Sequence, residues 1–554
     1  MPRHLSRRDL LIAMLGLPAA LAGCHAASVA KHEFAGEFVG LSLEIGHRLR
    51  DGWKAVPASD AWEKIDVVIV GGGVAGLSAA WRLRKTGFDD FAVVELESVA
   101  GGTSRGGKPA AGVSASTPFP WGAHYVPAPT HQNPALVELF GELGLFDGTD
   151  ADGDPIVAEQ FTVDDPSERL FYRGHWYEGL YLHAGASDDD IAQRRRFDAE
   201  IDRWVSWRDG SGRRAFTIPV ALSSDDPDVT SLDRISMAEW LDRRQLNSPR
   251  LRWLVDYCCR DDYGLSAEQT SAWAGVFYFA ARVTRSGAEA RPLITWPGGN
   301  SRIVEHLSNS LQRQLRLDTV ALNVAPREDG VDVVTAHRAR DGRDGTVRGI
   351  HAKRVIFAAP QFLAKYVVDA FRRNSPRNLE PFQYGTWFVA NLFLRGRPAE
   401  TGFPLAWDNV LYDSPSLGYV NATHQTGPDF GPTVLTYYYP FCDADPRRAR
   451  QRLLEMDWRE CADLTLADLS RAHPDLGSLV ERIDVMRWGH AMIRPMPGFM
   501  FGGARQAAAK PYRRIHFANT DLSGVALFEE AFYRGVRAAE EVLQTREFAV
   551  ERKS

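Results

Sequence analysis

Gly71, Gly73 and Gly76 lie in the run Ile65-Asp-Val-Val-Ile-Val-Gly-Gly-Gly-Val-Ala-Gly76, and Glu95 ends a second apolar run nineteen residues later. Glycines at this spacing allow three things that a side chain would block: a tight turn at Gly71, close backbone approach to a pyrophosphate at Gly73, and close helix–strand packing at Gly76. The chemistry they offer is binding. Val74 and Ala75 open a segment of helical period, continued by Leu77, Ala80 and Leu83, so their N–H groups and the positive end of the helix dipole face the phosphates. Glu95 is placed to accept hydrogen bonds from an adenosine ribose. A strand, a glycine turn, a helix and a second strand ending in an acid make a complete βαβ unit, and that context predicts a bound dinucleotide.

The second strand continues into Glu95-Leu-Glu-Ser-Val-Ala-Gly-Gly102, with Gly101 and Gly102 six and seven residues after the acid. Four more segments follow in order: Trp121-Gly-Ala-His-Tyr-Val126, Trp296-Pro-Gly-Gly-Asn300, Val355-Ile-Phe-Ala-Ala-Pro360 and Phe517-Ala-Asn-Thr-Asp521. With these segments the chain resembles the flavoprotein amine oxidase and phytoene desaturase superfamily over about residues 63 to 548. The resemblance implies FAD as the cofactor. It also implies an α/β fold in which a Rossmann-type FAD-binding domain is interleaved with an α+β substrate domain. Gly101 and Gly102 would bring backbone to the flavin half, the Val320 backbone would pair with adenine, and Asp521 would hold the ribityl and pyrophosphate region. His124 and Tyr125 would pass beside the isoalloxazine, with His124 as a candidate proton relay or flavin anchor. Trp296 and Phe528 would face the substrate. Asn391 falls near the place where the family carries a lysine linked through water to N5. The chain departs from the pattern there, because no lysine occurs between Lys365 and Lys510. It also has no tyrosine near Leu527 or between Met492 and Pro497, where the family builds an aromatic cage.

The domain reading follows from these anchors. Residues 63–130, 291–360 and 488–548 form the FAD-binding domain, and 131–290 with 361–487 form the substrate domain. The stretch from 131 to 290 reads as mostly helical, and a tether spans 25–62. No second glycine fingerprint and no Cys-x-x-Cys is present, so electrons are expected to enter from an organic substrate and not from a nicotinamide through a disulfide. Cys258 and Cys259 lie in an apolar helical stretch and read as buried thiols, with a strained vicinal disulfide as the alternative. No group of His, Cys, Asp and Glu has metal-ligand spacing.

Residues 1–24 carry a different message. Ser6-Arg7-Arg8-Asp9-Leu10-Leu11 resembles a twin-arginine export signal, and Leu21-Ala-Gly-Cys24 resembles a lipobox with Cys24 as the lipidated residue. The expectation is a periplasmic or extracytoplasmic protein, exported folded by the twin-arginine machinery and held at a membrane surface through Cys24. A net charge of −6 argues against a nucleic-acid partner. The leading functional expectation is oxidation of a small amine, a polyamine among the candidates, with O₂ or another electron acceptor. The alternative is an FAD-dependent desaturase or isomerase of an isoprenoid or lipid. A flavin-bearing partner protein without turnover is the third.

Overall fold

The computed structural model describes residues 33–40, 42–338, 344–545 and 548. The leader, Cys24 and the first part of the tether lie outside the described residues. Strand β1 (Trp62–Val70) is rich in β-branched residues, and Val67, Val68 and Ile69 are fully buried, as befits a strand covered on both faces of a parallel sheet. The chain turns at Gly71, where φ is 106°, into helix α1 (Val74–Lys85). Strand β2 (Phe91–Val94) then returns parallel to β1. The βαβ unit read from the sequence is therefore in place.

Four strands from the middle of the chain complete this sheet: β3 (Leu315–Arg316), β4 (Thr319–Pro326), β5 (Val331–Arg338) and β6 (Asp344–Phe357). They pair in the order β3-β2-β1-β6-β5-β4. From Gly349 on, β6 runs parallel to β1, while its first half pairs antiparallel with β5 on the other edge. This arrangement joins two remote stretches of sequence into one layer.

A second sheet is organised around β7 (Tyr384–Leu394), which is buried along its whole length and is flanked antiparallel by β8 (Thr433–Phe441) and β9 (Val480–Ile493). The sheet extends through the strand Asp408–Leu411, which runs parallel to Glu168–Tyr172 with Asp408 opposite Glu168. Two details differ from the sequence reading. The 131–290 stretch is helical only in part: Arg173 (φ 49°) and Gly174 (φ 82°) close a hairpin between Glu168–Tyr172 and His175–Glu178, since two consecutive positive φ angles match the strand twist. The boundary expected at residue 488 falls inside β9, whose pairing with β7 runs from Val480 to Ile493.

The last strand, β10 (Ile515–Phe517), returns to the first sheet and pairs parallel with the end of β6. Helix α2 (Phe528–Leu543) then packs on α1. A Cβ at Gly535 would stand 2.1 Å from the Ala75 carbonyl oxygen, so the glycine is what allows the two helices to meet. This fold is the α/β architecture with an interleaved second sheet that the sequence suggested.

Candidate active site

A cavity of about 1780 Å³ runs from the glycine turn of the first sheet to the face of β7 and β8. This exceeds the usual size of a ligand pocket, ~300–1,000 Å³, and leaves room for a dinucleotide and a second molecule. At one end the wall includes Gly71, Gly73, Val74, Ala75, Glu95 and Val320. Glu95 is fixed by backbone: one carboxylate oxygen accepts from Gly72 N at 2.6 Å and the other from Glu97 N at 2.8 Å. Burial raises its pKa, and those two N–H groups act against the rise.

Gly101 and Gly102 also line the cavity, at φ 115° and 57°. Gly101 N donates to Gly72 O at 2.8 Å, which locks the two glycine turns together. A Cβ at Gly73 would meet only the Gly102 Cα, at 3.9 Å. The protein thus leaves that direction open at the mouth of α1, where an anion would sit. By contrast, a Cβ at Gly76 would fall 1.8 Å from Gly71 O, so this third glycine serves packing and is absent from the wall. These residues fit the pyrophosphate and adenosine of FAD. Asp521 lines the middle of the cavity and is 3% exposed. One of its oxygens accepts from Gln361 N at 2.7 Å and from the Tyr384 hydroxyl at 2.6 Å, and burial pushes its pKa up to about 6.

At the other end His124 and Tyr125 line the cavity. The His124 ring packs between Tyr438 and Trp407, with centroids at 5.1 and 5.2 Å, and burial pushes its pKa down to about 4. It is therefore a neutral imidazole near pH 7. The Tyr125 hydroxyl accepts from Arg282 at 3.3 Å, and Arg282 also donates to both oxygens of Asp262, at 3.3 and 3.1 Å. Phe528 is on this wall, as are Trp387, Val389, Leu417, Tyr438 and Trp488.

Two expectations need correction. Asn391 is fully buried but is not on the cavity wall: its amide donates to Pro120 O at 3.2 Å and its oxygen accepts from Thr436 at 2.7 Å. It shares a face of β7 with Trp387 and Val389, by the two-residue repeat of a strand, but lies one step further along, under the Phe119–Trp121 segment. Trp296 is likewise off the wall and packs against Phe161 and Arg302. Cys258 and Cys259 are both free and buried.

The sequence reading missed the acids. Asp261 and Asp262, at the end of helix Pro249–Tyr263, and Glu529, in the first turn of α2, line the cavity with Arg282. Glu529 is 3% exposed, and one of its carboxylate oxygens has no hydrogen-bond partner among the described residues. Burial pushes its pKa up to about 7. Burial, and then the neighbouring Asp262 charge, also raises that of Asp261. The signal available in the sequence was an acid doublet just after Cys258 and Cys259, in a helix that also carries Trp253 and Tyr257.

Comparison with known proteins agrees with this geometry. The profile of the family described as "Flavin containing amine oxidoreductase" matches residues 74–543. Oxidoreductase PigB of Serratia sp. (strain ATCC 39006) is 22% identical, over 87% of this chain and 75% of that protein. Among solved structures, putrescine oxidase bound to putrescine is 18% identical with a TM-score of 0.62, covering 87% of this chain and all of that one. A fatty acid isomerase from P. acnes is 14% identical with a TM-score of 0.59, covering 86% and 98% of the two chains. At these identities the structures share a fold with the present chain.

Proposed function

The chain belongs to the flavin-containing amine oxidoreductase family and is an FAD-dependent oxidoreductase, and on that premise we propose that it oxidises a small amine, a polyamine among the candidates. The observation that carries this reading is the acid group on the cavity wall. Asp261, Asp262 and Glu529 face one buried arginine, Arg282, which is already paired to Asp262. An interior with this excess of carboxyl groups is costly unless a proton or a cation shares it, and a bound ammonium supplies the cation.

When bound, FAD supplies the acceptor for a hydride equivalent leaving the carbon next to nitrogen. The residues do the rest. Asp261 and Glu529 attract the cationic form of the amine. Glu529, with its pKa held at about 7, can take the proton that the ammonium must lose before its carbon can be oxidised, since a base titrating near the working pH is the most effective. Trp387, Tyr438 and Tyr125 wall the reacting end against water. His124, neutral at physiological pH, adds no charge that would repel the ammonium.

The test is an anaerobic absorbance titration of the FAD-loaded protein with monoamines, diamines and longer polyamines. Bleaching of the oxidised flavin band by one of these classes is the expected result. A second reading is favoured by the apolar residues Trp387, Val389 and Leu417, which occupy the β7–β8 wall without a lysine. They suit a lipid desaturase or isomerase. A band that no amine bleaches would overturn the amine reading in favour of this one. Export by the twin-arginine route, with anchoring through Cys24, is part of the proposal and is supported by the leader pattern around Arg7 and Arg8.

A further inference from the structure

Another wall of the same cavity has the opposite sign. Helices Leu43–Arg50, Gln361–Val367 and Pro446–Glu455, with the Arg487–His490 part of β9, contribute His47, Lys365, Arg447, Arg450 and Arg487 to it. The acids on this wall are fewer. Asp445 and Glu380 line it, while Asp51 is engaged with Arg50 at 2.8 Å.

Arg450 is the informative residue. It is half-buried, and its stem passes Gly489 so closely that a Cβ there would lie 3.9 Å from Arg450 Cδ. Burial lowers its pKa, with Asp445 opposing the shift and Arg447 adding to it. Yet it makes no hydrogen bond or ion pair among the described residues. Two buried arginines elsewhere in this chain are provided for. Arg169 reaches Asn409, Glu400, the Phe403 carbonyl and Tyr419, and Arg260 reaches Asp256 and the Pro415 carbonyl. Next to Arg450, the His490 ring lies flat on Phe362 at 4.1 Å. Loss of water on the crowded cavity wall, and then the charges of Arg450, Lys365 and His47, hold the imidazole of this solvent-accessible residue below the ordinary pKa. A half-buried guanidinium that no side chain engages, with more cations than acids around it on a cavity wall, is placed to receive an anion.

We propose that Arg450, supported by Arg447 and Lys365, is an anion-binding subsite that takes a carboxylate or phosphate group carried by the substrate. The inference rests on reading the cavity as a substrate chamber, and it sharpens the substrate class. An amine drawn to Asp261 and Glu529 at one end would carry an acidic group at the other. The competing source of the same chemistry is the pyrophosphate of FAD, but the cradle for that group is the glycine turn and the start of α1. Arg450 comes instead from a helix packed on β7 and β9.

The test is a calorimetric titration of the FAD-loaded protein with inorganic phosphate and with acetate, at constant ionic strength. No amine is present, so the result stands whatever the amine titration gives. Saturable binding is expected, weakened about tenfold or more in Arg450→Gln, as for loss of a charge-assisted contact. It should be partly kept in Arg450→Lys and unchanged in Arg448→Gln, an exposed arginine of the same helix. If Arg450→Gln does not fold, a several-fold loss in Arg450→Lys, which keeps the charge and loses the fork, carries the same expectation. Absence of saturable binding, or equal binding by Arg450→Gln, would overturn the proposal. So would release of FAD by phosphate, which would assign the charge to the cofactor.

Discussion

Gly73 and Gly76 stand three residues apart and have different tasks, and substitution separates them. In Gly73→Val the new side chain enters open space, since only the Gly102 Cα lies near, at 3.9 Å. The protein should fold with the melting temperature of the FAD-free parent yet purify without FAD; a fully yellow Gly73→Val would refute the cradle. Glu529 allows a prediction in pH. Its pKa is about 7 in the folded protein because burial disfavours the charge, against ~4.3 for a free glutamate. Between those values the folded state holds a proton that the unfolded chain has released, so stability falls as pH rises through this window. The loss amounts to at most about 4 kcal/mol. Glu529→Gln should flatten the dependence of melting temperature on pH between about 5 and 7. A variant as pH-dependent as the parent would show that this carboxyl does not titrate there.

At the scale of the element, β7 decides which of its side chains reach the cavity. Alternation sends Trp387, Val389 and Asn391 to one face, but the Phe119–Trp121 segment crosses above Asn391 and the cavity stops at Val389. Asn391→Ala should therefore act on stability and not on chemistry. It leaves the Pro120 carbonyl and the Thr436 hydroxyl without their partner, which costs about 1–3 kcal/mol per buried group. Denaturant melts should show that loss while the anaerobic flavin reduction rate stays near the parent value. A large fall in rate with stability intact would return Asn391 to the reacting centre. The same logic of position applies to α2, whose approach to α1 through Gly535 brings its first turn, and with it Phe528 and Glu529, to the cavity.

For the whole molecule, the leader makes a prediction of its own. Replacing Arg7 and Arg8 together by lysine should leave the protein in the cytoplasm with FAD bound, as measured by cell fractionation; unchanged export would end the twin-arginine reading. Within the folded body, the sequence by itself determined what depends on neighbours along the chain. The β1–turn–α1–β2 unit was legible because its glycines, its helical period and Glu95 lie within some thirty residues and each needs only local backbone geometry. The residues expected beside FAD from ordered motifs, Gly101, Gly102, Val320 and Asp521, all line the cavity. Only the tertiary structure decided the charge of the substrate end. Asp261, Arg282 and Glu529 come from three stretches that no spacing rule connects, and what makes them informative is burial together, a property that the fold creates and that no single segment carries. Asn391 and Trp296 were misplaced for the same reason, since a strand's register and a ring's packing partner are set by what crosses over them.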